Sequence, residues 1–277
     1  MKIGLSTLLF VKSSVEDSVR MIAELGADCV EVIYDVPHFM HDHDPRQLGG
    51  LKELVNSYGL EPSVHSCFWD LNPASHYPEV EEFALKRVKR SIEACERLGG
   101  RVVVVHPGRA AIPELEWFME TARKKCMKFF DECAAFARDR GVKVAIENIG
   151  LPFFVCSSPE ELGDIVDGRD GLGITLDIGH AYRRIKSAGV QNPEEKVAEI
   201  IARLRNKITH IHFHDNHGES DEHLIPGEGS IDFRPIVGAI KGINYKGLVV
   251  VELFDPGNPG EAGRKGLEKT KKLLGPQ

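Results

Sequence analysis

The chain has no apolar run approaching the ~18 residues needed to span a bilayer, no signal-peptide opening and no CxxC pair among its six cysteines. These lacks read together as a cytoplasmic protein with no membrane partner. Its thiols at Cys29, Cys67, Cys95, Cys126, Cys133 and Cys156 are then reduced and mostly buried. Cys126 and Cys133, seven apart on an expected helix, share a core face more naturally than they form a metal pair. Positive charge is also short. The 35 Lys and Arg face 42 Asp and Glu, a net charge of −7, which leaves no basic footprint for a phosphate backbone. No low-complexity linker interrupts the chain, and no Gly-rich phosphate loop follows its first strand, which counts against the nucleotide-binding doubly wound sheets.

What is present is a regular alternation. Strands are expected at Met1–Thr7, Cys29–Tyr34, Pro62–Ser66, Arg101–His106, Val142–Asn148, Leu172–Ile178, Ile208–His214 and Leu248–Leu253. Helices are expected at Ser13–Leu25, Pro45–Tyr58, Glu79–Leu98, Pro113–Arg140, Ser158–Asp167, Asn192–Arg205, Phe233–Lys241 and Gly260–Leu274. Ser13 or Ser14, Ser158 and Asn192 stand as N-caps, and Pro159 and Pro193 follow at the first helical position. Eight strands, each followed by a helix, in 277 residues with 42% hydrophobic content predict a single (β/α)8 TIM barrel over 1–277. A doubly wound open sheet is the runner-up.

The polar residues fall in a pattern on that frame. His65, His106, Glu147, Asp177, His212 and Glu252 each lie at or near the carboxyl end of an otherwise apolar strand. In a barrel those ends converge on the face that carries the active site. One such residue is more economically a satisfied polar terminus. Six from the His/Asp/Glu set on consecutive strands are not, because carboxylates buried together are costly unless cations neutralise them. A divalent-metal centre at the barrel mouth follows. His180, three after Asp177 in LDIGHA, lies on a turn that can bring both to one site. Thr209–Phe233 (THIHFHDNHGESDEHLIPGEGSIDF) adds Asp221 and His223. Its strand alternation puts His210, His212 and His214 on one face, with His212 at the strand end, His210 deeper and His214 nearer the rim. Glu147 and Glu252 are expected to face each other across the barrel, each able to bind metal or to act as acid and base on opposite sides of a substrate.

The motifs VHSCFWDLNP (64–73), LGGRVVVVHPG (98–108), IEN (146–148), LDIGHA (176–181), HFHD (212–215), DEHLIPGEGSIDF (221–233) and VVVEL (249–253) resemble those of the xylose-isomerase-like barrel superfamily over nearly the whole chain. That superfamily holds sugar and sugar-phosphate isomerases and epimerases together with endonuclease IV-like AP endonucleases. The endonuclease resemblance implies three zinc ions held by His65, His106, Glu147, Asp177, His180, His212, Asp221, His223 and Glu252. The isomerase resemblance implies one ion on Glu147, Asp177, His212 and Glu252, with the two glutamates as catalytic proton carriers and His180 on the substrate. One to three divalent ions per chain are thus expected, zinc or else manganese, magnesium or cobalt.

Two departures separate the branches. The loop DVPHFMHDHDP has no arginine before Arg46, and Cys67-Phe68-Trp69 stands where the nuclease has a small residue and tyrosine. The arginine usual in epimerases after the strand 7 histidine is replaced by Asn216-His217-Gly218. A metal-dependent isomerase or epimerase of a sugar or sugar phosphate is the first reading, and homo-oligomers are compatible with it. A zinc phosphodiesterase acting on abasic DNA is the second, and a purely structural metal the third. Trp69 and Phe68 either stack on a sugar ring or plug the rim. Arg109 either holds a phosphate or pairs with Glu114 or Glu116. His38, His41 and His43 form either a second metal patch or a substrate lid or, preferably, a solvated loop.

Overall fold

The four valines of Val102–Val105 have β-branched side chains that pack well in a pleated strand covered on both faces, and the segment is β4 of a closed barrel. The structure is a computed structural model that describes residues 1–40 and 43–275. With β4 run β1 (Lys2–Ser6), β2 (Cys29–Ile33), β3 (Glu61–His65), β5 (Lys143–Glu147), β6 (Leu172–Asp177), β7 (Ile208–Phe213) and β8 (Leu248–Val251). All pair in parallel in sequence order, and β8 closes on β1 through Lys2↔Leu248 to Leu5↔Val251. This is the expected (β/α)8 barrel. A register shift between Ile174 and Thr175 of β6 brings Asp177 level with His212 of β7.

Helices α1 (Val15–Glu24), α2 (Gly49–Ser57), α3 (Pro78–Leu98), α4 (Glu116–Arg138), α5 (Pro159–Val166), α6 (Ile178–Ser187), α7 (Pro193–Leu204), α8 (Phe233–Gly242) and α9 (Pro259–Leu274) pack their apolar faces on the strands. Each fully buried Val, Leu or Ile there contributes about 1.5–3 kcal/mol. Ser14 caps α1 by accepting from the Asp17 N–H. Ser158 and Glu161 form a reciprocal capping box on α5, behind Pro159. All six cysteines are free and buried, and Cys126 and Cys133 both lie on the inner face of α4. No helix among the described residues is long and apolar enough to cross a membrane.

Four expectations change. Asn192 occupies the N-cap position of α7 but takes a left-handed backbone (φ 54°), and its side chain makes no capping bond. The first turn expected at Pro45 is a short 3-10 segment, and α4 begins at Glu116 rather than Pro113. Most consequentially, LDIGHA is not a turn. Asp177 ends β6 and caps α6 directly, its Oδ1 accepting from the His180 N–H at 2.6 Å.

Candidate metal centre at the barrel mouth

Glu147 and Asp177 are the last residues of β5 and β6, His212 is the last but one of β7, and Glu252 directly follows β8. One ligand atom from each lies within 4.8 Å of the others, and all four residues are buried. His212 Nδ1 is 3.4 Å from Glu147 Oε1, 3.3 Å from Glu252 Oε2 and 3.8 Å from Asp177 Oδ2. The two glutamates therefore converge on one point, rather than standing apart across the barrel.

Neither His212 Nδ1 nor Glu147 Oε2 has an aligned hydrogen-bond partner. Three carboxylates gathered around unsatisfied buried atoms are a donor set that fits a divalent cation. Burial pushes the Glu147, Asp177 and Glu252 carboxyls up. The positive charge of His212 on the two glutamates, and of His180 on Asp177, outweighs it and holds all three below their ordinary range.

Two further groups adjoin this one. His65 and His106 approach Glu147 Oε2 at 3.3 and 3.1 Å. On the outer side His180 Nε2 meets Asp221 Oδ2 at 3.0 Å, with His223 Nε2 at 3.5 Å from the other Asp221 oxygen. His214 completes that outer set. All nine residues singled out as candidate ligands thus gather at one end of the barrel. In His65, His180 and His223 the Nδ1 sits 2.9, 3.0 and 2.9 Å from the carbonyl oxygens of Ser66, Asn148 and Glu252. An Nδ1–H held by a carbonyl leaves Nε2 as the free donor atom. Burial lowers the His180 pKa, but Asp177 and then Asp221 drive it well above the usual value. Asp221 is held far below the carboxylate range, burial notwithstanding, by His180 and His223.

Sequence reasoning missed Glu31, Asp215, Asn148 and the role of His214. Glu31 is fully buried on β2, 2.9 Å from His210 Nε2 and 3.0 Å from His212 Nε2. Its signal was present, as a single carboxylate inside the apolar strand CVEVI. His214 Nε2 contacts both Asp177 oxygens at 3.1 and 3.2 Å. The ring lies so close to α6 that a Cβ on Gly179 would come within 2.1 Å of it, which accounts for the glycine of LDIGHA. Asn148 ties β5 to β6 by accepting from the Asp177 N–H and donating to the Asp177 carbonyl.

The mouth opens into a cavity of about 490 Å³. Phe68 packs on the rings of His65 and His106, whereas Trp69 stands half exposed beside it on the cavity wall. Arg109 lines the same cavity. Among the described residues His38 and His43 belong to no candidate metal group, and neither is merely solvated. His38 Nε2 contacts the Thr7 carbonyl, and His43 Nδ1 meets the Tyr34 hydroxyl at 3.1 Å. His41 lies outside the described residues.

A family model described as xylose isomerase-like TIM barrel matches residues 19–273. The chain belongs to that family. It is 37% identical over 262 residues to the uncharacterized protein MJ1311 of Methanocaldococcus jannaschii, covering 91% of this chain and 83% of that one. It is 25% identical over 256 residues to an inosose isomerase of Bacillus velezensis, covering 88% and 85%. A crystal structure of a D-tagatose 3-epimerase-like protein superposes with a TM-score of 0.83 at 32% identity, covering 99% of this chain and 98% of that one.

Proposed function

We propose that the chain is a divalent-metal-dependent sugar isomerase or epimerase. The observation that carries this reading is the convergence of Glu147, Asp177, His212 and Glu252 at 4.8 Å or less in a buried site. Relatives named as an inosose isomerase and a D-tagatose 3-epimerase-like protein support it. These four residues would hold the ion, zinc or else manganese, magnesium or cobalt. When bound, it supplies Lewis-acid polarisation of a substrate carbonyl and the neighbouring hydroxyl.

Glu147 and Glu252 would act on the carbon that bears that hydroxyl, next to the carbonyl carbon. One ionised carboxylate takes the proton from that carbon, the C–H electrons form the new C=C bond, and the carbonyl π electrons move onto oxygen to give an enediolate. The other glutamate returns a proton to the same carbon for epimerisation, or to its neighbour for isomerisation. The lowered carboxyl pKa keeps the abstracting glutamate in the base form, and the returning glutamate acts as an acid once it has taken a proton from solvent or from a substrate hydroxyl. His180, Trp69 and Phe254 line the cavity beside them, where one can orient hydroxyls and the others can cover a ring face. Arg109 is the only lysine or arginine among the described residues that line the cavity, and it is exposed. An unphosphorylated sugar suits that lining better than a sugar phosphate.

A second reading rests on a specific observation, that all nine residues fall within three candidate ion groups, two of which share Glu147 and the outer of which also includes His214. That is the ligand set of an endonuclease IV-like phosphodiesterase on abasic DNA. The experiment combines metal analysis, incision of an abasic-site duplex, and solvent-deuterium exchange into ketoses. About one exchangeable metal per chain, no incision, and exchange lost in both Glu147→Gln and Glu252→Gln are expected. Three zinc per chain with strand incision would sink the isomerase reading. Exchange surviving in either variant would remove that glutamate from proton transfer.

A further inference from the structure

His212 is inverted relative to its neighbours. His65, His180 and His223 turn Nδ1 toward a backbone carbonyl and present Nε2 to the site. His212 presents Nδ1 to Glu147, Asp177 and Glu252, so its Nε2 points down into the barrel interior. No carbonyl receives it there. The atom facing it is Glu31 Oε1, at 3.0 Å.

Both atoms are fully buried, and neither has another hydrogen-bond partner. A buried carboxylate oxygen and a buried ring nitrogen are each costly to leave unsatisfied. Because they face each other, a small rotation of the ring satisfies both. The rest of Glu31 is already anchored. Its Oε2 accepts from the Ser63 hydroxyl at 3.0 Å, Ser63 being its register partner on β3, and lies 2.9 Å from His210 Nε2.

We infer that Glu31 is a positioning residue that receives the Nε2–H of His212 and so fixes the tautomer presenting Nδ1 to Glu147, Asp177 and Glu252. The inference rests on the metal reading proposed above and adds a residue to it. A ring nitrogen backed by a carboxylate is a more basic and better-oriented donor than one backed by a carbonyl or by nothing. Glu31 therefore raises cation affinity at this group and leaves the outer His180–Asp221–His223 group unaffected.

Cobalt(II) titrated against a competing chelator tests this, with the step of interest identified as the one that Asp177→Asn abolishes. Glu31→Ala is expected to weaken that step about 10- to 100-fold and to leave any other step unchanged. Glu31→Gln keeps one acceptor oxygen but turns an amide N–H toward the second ring, so a smaller loss is expected. Ser63→Ala leaves the carboxylate in place and loses least. Melting of the metal-free variants separates a general loss of stability from a loss of affinity.

Unchanged affinity in a folded Glu31→Ala overturns the inference. If that variant does not fold, unchanged affinity in both Glu31→Gln and Ser63→Ala does the same. A cobalt step that survives Asp177→Asn but is lost in Glu31→Gln would mean that Glu31, His210 and His212 are themselves a cation site, and would also overturn it. Absence of any binding by the unsubstituted protein defeats the metal reading instead.

Discussion

The deep group (Glu147, Asp177, His212, Glu252) and the outer group (His180, Asp221, His223) use the same residue types on different supports. The deep group stands on four consecutive strand ends, whose positions are set by barrel hydrogen bonding. All of its members are 5% exposed or less. The outer group draws on the first turn of α6 and the loop after β7, and Asp221 is 36% exposed. His223 adopts a left-handed backbone, φ 48°, which is strained for a residue with a side chain. Chemistry that needs reacting groups held to within a fraction of an ångström belongs on the first support. The second suits a group that binds, orients or adds an ion without setting the basic reaction.

The largest effect that tests this contrast is in turnover. Replacing Glu252 by Gln removes a proton carrier, and a loss of about 10²–10⁴ in kcat is expected. Asp221→Asn, on the outer support, is expected to cost less than about tenfold, with its effect mainly in KM. Steady-state kinetics on a ketose substrate measures both. Equal losses would erase the distinction and make the outer group part of the reaction centre.

The same contrast explains what was legible in the sequence. Strand ends announce themselves, because a polar residue closing a β-branched run such as VVVV before His106 breaks a strong local pattern. The barrel, and the gathering of the strand-borne residues at its mouth, followed from that pattern. Asp221 and His223 lie in an irregular loop and were readable only through the motif resemblance. Glu31 was overlooked because a carboxylate in mid-strand has no terminal position to flag it, and its partners His210 and His212 are about 180 residues away in the chain. The continuation of LDIGHA into a helix was missed because Asp177 serves both as strand end and as helix cap. Such a residue leaves no loop signal between the two elements.

A middle-sized effect concerns how the outer loop is held. Asp215 is fully buried, and its carboxylate accepts from the N–H groups of Asn216, Gly227, Gly229 and Ile231 at 2.8–3.1 Å. A Cβ on Gly229 would come within 2.4 Å of that carboxylate, which accounts for the second glycine of PGEG. The Asp215 backbone pairs with Leu224, the residue after His223. Asp215→Asn keeps the shape but puts a donor where acceptors are needed, and is expected to cost about 2–3 kcal/mol in denaturant unfolding. Hydrogen exchange should rise over 221–231 and stay unchanged at the ends of β5 and β6. Matched increases at both places would mean the loop and the strand ends open as one unit.

The smallest effect is a pH dependence of the metal-free protein, where imidazolium–carboxylate pairs replace metal ligation. Burial lowers the pKa of His65, but its contact with Glu147 prevails and raises it to about 9. Burial likewise opposes His223, yet Asp221 and Glu252 raise it to about 9 as well. A base whose folded pKa exceeds its unfolded value of about 6.5 stabilises the fold fully below 6.5, and that contribution is lost as pH rises through 9. The chelator-treated protein should therefore melt a few degrees lower at pH 9.5 than at pH 6. His65 backs onto the deep group and His223 belongs to the outer one, so His223→Gln should remove only part of the slope. Bound metal needs the same rings deprotonated, so loading the protein should flatten or reverse the trend. A metal-free protein that melts at the same temperature across that range would show that these histidines are not held as charged partners of Glu147 and Asp221.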